Sequence, residues 1–354
     1  MLKKALKQIL QWFAAIALVF LILNLLCFFY YNPLNGFAME KAAANIGYYP
    51  GDTAYDASEG YGVVTADHNG FINRELPLCE DYILVTGSSY TEGHNLLMEL
   101  RYTDLLNEKI MAGRDDELAV YNVGHIFNFY PDIISGLDGL FGMFPDPSVL
   151  IIEIPSTEYS AEELRASLQQ RGYDPEETVD NILQEMSPKQ RLILNIKRKL
   201  PILRLFNLKR REYQTYGEDK KALEASVQPV SASDEKDAET AGDREELRDA
   251  VEDTLQLLRS YYKGRIVILF HPEVCIKEDG TLEMLYGKNT DLYRELCEQE
   301  GIVYIDMTER FEEAYREEGI IPNGFWNSDM TGGHMNRYGH AMVADELYQV
   351  LMEK

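Results

Sequence analysis

Two segments at opposite ends of the chain carry residue types suited to acyl transfer. Gly87-Ser88-Ser89-Tyr90-Thr91-Glu92-Gly93 directly follows the apolar run Ile83 to Thr86. A serine where a strand turns into a helix presents its hydroxyl at the open edge of a sheet, and neighbouring backbone N–H groups can hold an oxyanion. Gly332-Gly333-His334-Met335-Asn336-Arg337-Tyr338-Gly339-His340 places a histidine in a glycine-rich loop ahead of the last helical segment. An imidazole hinged in that way can reach the first strand's tip and act as general base. Gly-x-Ser-x-Gly is absent, because Thr91 stands where its second glycine belongs, so the α/β-hydrolase elbow is disfavoured.

Positioning such a pair needs a sheet whose strand ends face one way. Apolar strands at Ile83 to Thr86, Ala119 to Val123, Val149 to Ile154, Arg265 to Phe270 and Ile302 to Ile305 alternate with helical patterns. The helices read as Leu97 to Met111, Tyr130 to Met143, Glu245 to Tyr262, Asn289 to Glu300 and Asn336 to Met352. This alternation predicts a parallel sheet of about five strands covered on both faces. Catalytic groups in such sheets gather at the carboxyl ends of the strands. His271-Pro272 ends the fourth strand on that rim and is a candidate pocket residue, though a strand-terminating turn accounts for it equally well.

Residues Ile9 to Tyr31 are apolar almost throughout and carry no charge. At 1.5 Å per residue they cover the roughly 30 Å hydrocarbon core of a bilayer. Lys3, Lys4 and Lys7 precede the run and no basic residue follows until Lys41, which predicts a cytoplasmic N-terminus and an extracytoplasmic C-terminal domain. The run ends in aromatics and Asn32-Pro33 rather than a small-residue cleavage site, favouring a retained anchor. The organisation expected is a cytoplasmic tail (1–8), a transmembrane helix (9–31), a lead-in (32–68) and one domain (69–354).

Two inserts separate the third and fourth strands. Residues 160–211 are helix-forming and end in a cationic, apolar stretch. We read it as a surface helix capping the core and broken at Pro201; the other reading is an interface with anionic lipid or an anionic polymer. Residues 216–243 are acidic and nearly free of large apolar side chains, the composition of a disordered loop. A net charge of −25 makes nucleic acid a poor partner. Cys27 lies in the anchor, leaving Cys79, Cys275 and Cys297, an odd number with no C-x-x-C spacing, which argues against metal or redox chemistry. Asp306, Asp329 and Glu92 collect on no helix face or loop, so no metal and no cofactor is expected.

The two end segments together resemble the SGNH (GDSL-type) hydrolase family. Gly87 to Gly93 resembles its Gly-Asp-Ser-x-(Ser/Thr)-x-Gly block, and Gly332 to His340 its closing His-x-Asn-x-x-Gly-His block. Asn69-Gly70-Phe71-Ile72-Asn73 looks like the Asn-x-x-Gly-Phe-Arg element of membrane-anchored members. The resemblance runs from about Asn69 to the C-terminus, outside the inserts. It implies a three-layer α/β/α flavodoxin-like (SGNH hydrolase-like) fold, with Ser89 as nucleophile and His334 as base. The chain departs from the pattern at Ser88, which replaces an aspartate. Asn122-Val123-Gly124-His125-Ile126-Phe127 looks like the second block, with Phe127 where an oxyanion glycine is expected. Thr157 stands where an oxyanion asparagine is expected. The orienting aspartate would fall at Thr331; Asp329 is the nearby candidate, and a Ser–His dyad on a backbone carbonyl is the alternative. Gly124, Asn128, Thr157, His271 and Asn336 complete the expected oxyanion and substrate-binding set. The resemblance implies a serine esterase or O-acyltransferase acting on an acylated cell-envelope glycan or a small ester. The alternative is a catalytically degenerate domain that binds a glycan or a membrane-protein partner.

Overall fold

The computed structural model describes residues 2–38, 46–74, 81–113, 118–176, 179–210, 213, 241–277 and 279–352. The uncharged N-terminal run forms α1 (Leu2–Tyr30), a helix long and apolar enough to cross a membrane. It leads into a layer of short strands. β1 (Tyr31–Asn32) pairs antiparallel with β4 (Thr53–Asp56), which pairs in turn with β5 (Gly62–Thr65); β2 (Gly36–Ala38) pairs with β3 (Ile46–Tyr48). The described part of the lead-in, residues 32–38 and 46–68, therefore carries small antiparallel sheets, and the β4–β5 turn reaches the site described below.

Five aliphatic runs build the main sheet: β6 (Tyr82–Thr86), β7 (Ala119–Asn122), β8 (Val149–Ile154), β9 (Arg265–Phe270) and, later, β12 (Val303–Asp306). All neighbours are parallel, in the order β7-β6-β8-β9-β12. Numbered along the sheet strands alone this is 2-1-3-4-5, the doubly wound flavodoxin-like order. Alternation along each strand divides the core. Leu84, Leu150, Ile152, Ile266 and Ile268 face one side; Ile83, Val85, Ile151, Val267 and Leu269 face the other. Full burial of each such side chain contributes about 1.5–3 kcal/mol. The first face is covered by α4 (Tyr130–Ser135), α5 (Leu137–Met143), α6 (Ala161–Ser167), α10 (Ala241–Tyr261) and α11 (Thr290–Gln299). The second is covered by α3 (Tyr102–Gly113), α12 (Thr308–Glu318) and α13 (Arg337–Met352). A hairpin, β10 (Glu273–Ile276) and β11 (Leu282–Leu285), rises from the end of β9.

Three helix boundaries differ from the sequence reading. Leu97 to Met111 is a single 3-10 turn at Met98–Leu100 followed by α3, because Arg101 between them is extended. The run Tyr130 to Met143 breaks at Gly136 into α4 and α5. Residues 160–211 hold α6, α7 (Val179–Glu185), α8 (Pro188–Lys199) and α9 (201–210). The expected acidic loop lies largely outside the described residues, and α10 already begins at Ala241. Cys27, Cys275 and Cys297 are free thiols, while Cys79 lies outside the described residues.

Arg101 is extended because its guanidinium is a buried tie. It donates to the carbonyls of Ile72 (2.9 Å) and Glu92 (3.1 Å) and pairs with Asp104. It thus joins the lead-in, the serine-bearing turn and α3. Arg101→Met leaves both buried carbonyls and Asp104 short of donors and is expected to cost about 2–4 kcal/mol, read as a lower midpoint in urea unfolding.

Candidate active site

β6 ends at Thr86, and Ser89 begins a one-turn helix, α2 (Ser89–Glu92). Ser88 is its N-cap, with its hydroxyl accepting from the Tyr90 N–H. Below the turn lies Glu153 from β8, fully buried. Its Oε2 accepts from the Ser88 N–H (2.7 Å), the Ser88 hydroxyl (3.0 Å) and the Thr91 hydroxyl (2.8 Å). Its Oε1 meets Nε2 of His271 at 2.9 Å. Burial alone would raise this carboxyl's pKa; the bonds from His271, Thr91 and Ser88 outweigh burial and hold it below its ordinary value. Gly87 is required at the strand's end, since a Cβ there would stand 2.4 Å from Glu153 Oε2.

Ser89 Oγ lies 2.9 Å from His334 Nε2, across 245 residues of sequence. On the far side of the ring, Nδ1 is 2.7 Å from Glu59 Oε2, and the His334 backbone N–H donates to Glu59 Oε1 at 3.0 Å. An Nδ1–H held by a carboxylate leaves the Nε2 lone pair facing the serine hydroxyl, the arrangement a general base needs. Desolvation raises the Glu59 pKa, but three interactions with His334 more than reverse it, so Glu59 stays ionised below the usual carboxylate range. Gly333 makes the contact possible: its φ is +87° and a Cβ would come within 2.8 Å of Glu59 Oε1. The rings of Tyr90 (5.2 Å) and His94 (5.9 Å) flank the imidazole.

Glu59 sits in the β4–β5 turn. Asn327 secures that turn, accepting from the Gly60 N–H (2.8 Å) and donating to the carbonyls of Ala57 (2.9 Å) and Gly60 (2.7 Å). The loop that carries His334 therefore also grips the turn that carries its carboxylate.

The structure brings Ser89 and His334 together and puts Asp329 elsewhere. Asp329 is exposed, and its Oδ1 accepts from the Thr331 N–H (2.8 Å) and hydroxyl (2.6 Å), which hold its pKa low. Local bonds also occupy several expected binding groups. The Gly124 N–H donates to Asn122 Oδ1 at 2.8 Å. The Thr157 hydroxyl donates to the Tyr286 carbonyl (3.2 Å) and accepts from the Asn289 N–H (3.2 Å), which pins the loop before α11. Asn336 ties the carbonyls of Ile321 (2.8 Å) and Asn323 (3.1 Å) to the start of α13. Asn128 is buried against Thr86 and Gly87, and His271 lies beneath Tyr90 on Glu153. Phe127 adopts φ +62°, the left-handed backbone that a glycine takes freely. Among the described residues the N–H groups of Ser89 and Phe127 make no hydrogen bond within the protein.

Sequence reasoning missed Glu59, Glu153 as a support, and a second buried carboxylate, Glu92. Glu92 accepts from the Tyr48 hydroxyl (2.5 Å) and meets His94 Nδ1 at 3.2 Å, with His125 at 3.8 Å. Burial opposes its ionisation, yet His125, His94 and Tyr48 bring its pKa down to about 2. The only sequence signal for Glu59 was a Glu-Gly pair between two alternating segments.

No protein-family model and no curated protein sequence matches the chain. Solved structures that overlay it include a lipase/acylhydrolase from Enterococcus faecalis (12% identity, 77% of this chain, 95% of that one, TM-score 0.41). An acetyl xylan esterase (13% identity, 77% of this chain, 100% of that one, TM-score 0.40) is another. A third is a member of the lipolytic protein G-D-S-L family from Veillonella parvula (13% identity, 77% and 100%, TM-score 0.39). Overlaps this loose carry no mechanism, and the fold stands on its own strand order.

Two predictions follow from the carboxylates. Glu59→Gln is expected to slow reaction of Ser89 with a fluorophosphonate by about 10²–10⁴, while Asp329→Asn leaves it within about twofold; the labelling rates of the two variants decide between the carboxylates. For Glu92, a folded pKa of about 2 against an ordinary 4.5 means its contribution is complete above pH 4.5 and lost as pH falls toward 2. His94, against burial, is raised above 6.5 by Glu92, so its contribution is complete below 6.5 and lost as pH rises through the raised value. Glu92→Gln should therefore destabilise most between pH 4.5 and 6.5, by about 3 kcal/mol, and progressively less on either side in urea titrations.

Proposed function

We propose that the chain is a membrane-anchored serine esterase or O-acyltransferase whose domain faces outward and acts on acyl esters of cell-envelope glycans. The observation that carries this is the continuous line from Glu59 through both nitrogens of His334 to Ser89 Oγ. Ser89 Oγ bonds to the acyl carbon as its proton passes to His334 Nε2. The carbonyl π pair moves onto oxygen, where the N–H groups of Ser89 and Phe127 receive it in place of Gly124 and Thr157. Glu59 balances the imidazolium. Collapse breaks the bond to the departing sugar oxygen, which takes the proton from His334 and leaves an acyl ester on Ser89. Water or a second sugar hydroxyl then attacks, its proton going to His334; Ser89 departs and takes the proton back.

The glycan reading rests on α1 and its basic flank. Lysines at positions 3, 4 and 7 favour a cytoplasmic N-terminus, and a domain tied at Tyr31 meets esters fixed near the outer membrane surface. A second reading, a silent domain that binds a glycan or a membrane protein, is favoured by the engagement of the Gly124 N–H and the Thr157 hydroxyl. Losing an oxyanion donor costs about 10²–10³ in rate.

The full chain in detergent is expected to label with a fluorophosphonate and to cleave small acetyl esters. Both activities should fall by at least about 10³ in Ser89→Ala and in His334→Ala. A folded wild type that does neither overturns the enzyme reading in favour of the silent domain.

A further inference from the structure

The cationic segment does not cap the core. Among the described residues, nothing from α8 or α9 belongs to either buried face of the sheet. Both helices instead present large apolar side chains outward: Leu192 is 60% exposed and Phe206 67%, with Ile193, Ile196 and Leu203 also exposed. Around them stand Lys189, Arg191, Lys199, Arg204, Lys209 and Arg210, and residues 188–211 contain no acidic residue in a chain of net charge −25. Free in water, such a surface would be an unexplained apolar patch on an acidic protein.

Its position explains it. The one strongly polar side chain in the outer half of α1, Asn24, donates to the Lys199 carbonyl at 3.0 Å, and its Oδ1 accepts from the Ile202 N–H at 3.4 Å. The α8–α9 junction therefore touches the anchor itself. Asn24 lies six residues before Tyr30, so at 1.5 Å per residue the junction sits about 9 Å below the top of the apolar helix. Just above, Arg204 reaches the Pro33 carbonyl and the side chains of Asn32 and Asn35, where the chain leaves the helix. Amphipathic helices that lie in a membrane plane bury their apolar face about 5–10 Å into the headgroup boundary, with basic residues toward the lipid phosphates. Depth, apolar exposure and charge agree.

We propose that α8 and α9 form an in-plane element embedded in the outer leaflet of a phospholipid bilayer, with its basic residues on lipid phosphates. It gives the domain a second attachment beside α1, so the site is held at a set orientation rather than swinging on one tether. The inference rests on α1 crossing the bilayer and is independent of the ester chemistry.

Full-length chain carrying benzoylphenylalanine at a single position, in vesicles of phosphatidylcholine and phosphatidylglycerol, tests it on irradiation. Position 19 inside α1 reports whether the anchor is in lipid, and position 111 at the exposed end of α3 reports background. Photoadducts to phospholipid at positions 192 and 206 should match position 19 and exceed position 111 by at least about tenfold. Lys189→Glu with Arg210→Glu should lower capture at 206 about fivefold or more, with position 19 unchanged. Capture at 19 but not at 192 or 206 overturns the proposal, as does chain-to-chain adduct at 206, which would make this face a contact between copies. Failure at 19 as well overturns the anchor on which it rests.

Discussion

The bond between Glu59 and His334 joins residues 275 positions apart, and the geometry of the candidate site depends on that closure. A histidine in a glycine-rich loop has no preferred tautomer or direction of its own. Here a single carboxylate fixes both, because one oxygen takes the ring Nδ1–H and the other takes the same residue's backbone N–H. The hairpin β4–β5 must therefore stand against the loop before α13, and Asn327 enforces this by bonding three backbone groups of the turn. The small antiparallel layer between α1 and the sheet thereby becomes part of the site. It also couples the site to α1, since β4 pairs with β1, which follows that helix directly.

The Ser89 side is built by the same kind of device, a carboxylate placed where burial alone would neutralise it. Glu153 is enclosed by β8 and reaches up to hold the turn at Ser88 and Thr91, with His271 completing its shell. Ser88, standing where the related pattern has an aspartate, is the residue whose N–H and hydroxyl meet it. The negative charge resides one layer below the turn rather than beside Ser89. Glu92, with Tyr48, His94 and His125, repeats the theme on the other side of α2. Ionic groups this deep hold one geometry, since half of such a pair left unpaired costs several kcal/mol.

What was legible in the sequence follows from the range of the forces involved. β8 and β9 read clearly because unbroken aliphatic runs have few alternatives to a buried parallel strand. Ser89 and His334 were legible because their local frames, a strand-to-helix turn and a glycine hinge, are written within a few residues. Glu59 was not: nothing near it distinguishes its carboxylate from the many others in an acidic chain, and its partner is chosen by tertiary packing. Asp329 was favoured by proximity alone, yet its side chain closes locally on Thr331, two residues on, rather than reaching His334. Gly124, Thr157 and Asn336 were of suitable type, but the Asn122 side chain takes the Gly124 N–H and backbone groups engage Thr157 and Asn336. The packing of the cationic segment was not legible for a related reason: composition reports that a helix is amphipathic, and only the folded chain reports that its apolar side chains join neither buried face of the sheet.

The central claim is that Glu59, and not a neighbour in sequence, holds the Nδ1 proton of His334. Proton NMR of the full chain labelled with 15N-histidine tests it most directly, through the low-field Nδ1–H signal that a carboxylate-bound imidazole gives. The signal should be present in the wild type and in Asp329→Asn, and absent in Glu59→Gln and His334→Ala. A signal that survives Glu59→Gln and disappears in Asp329→Asn would contradict the account.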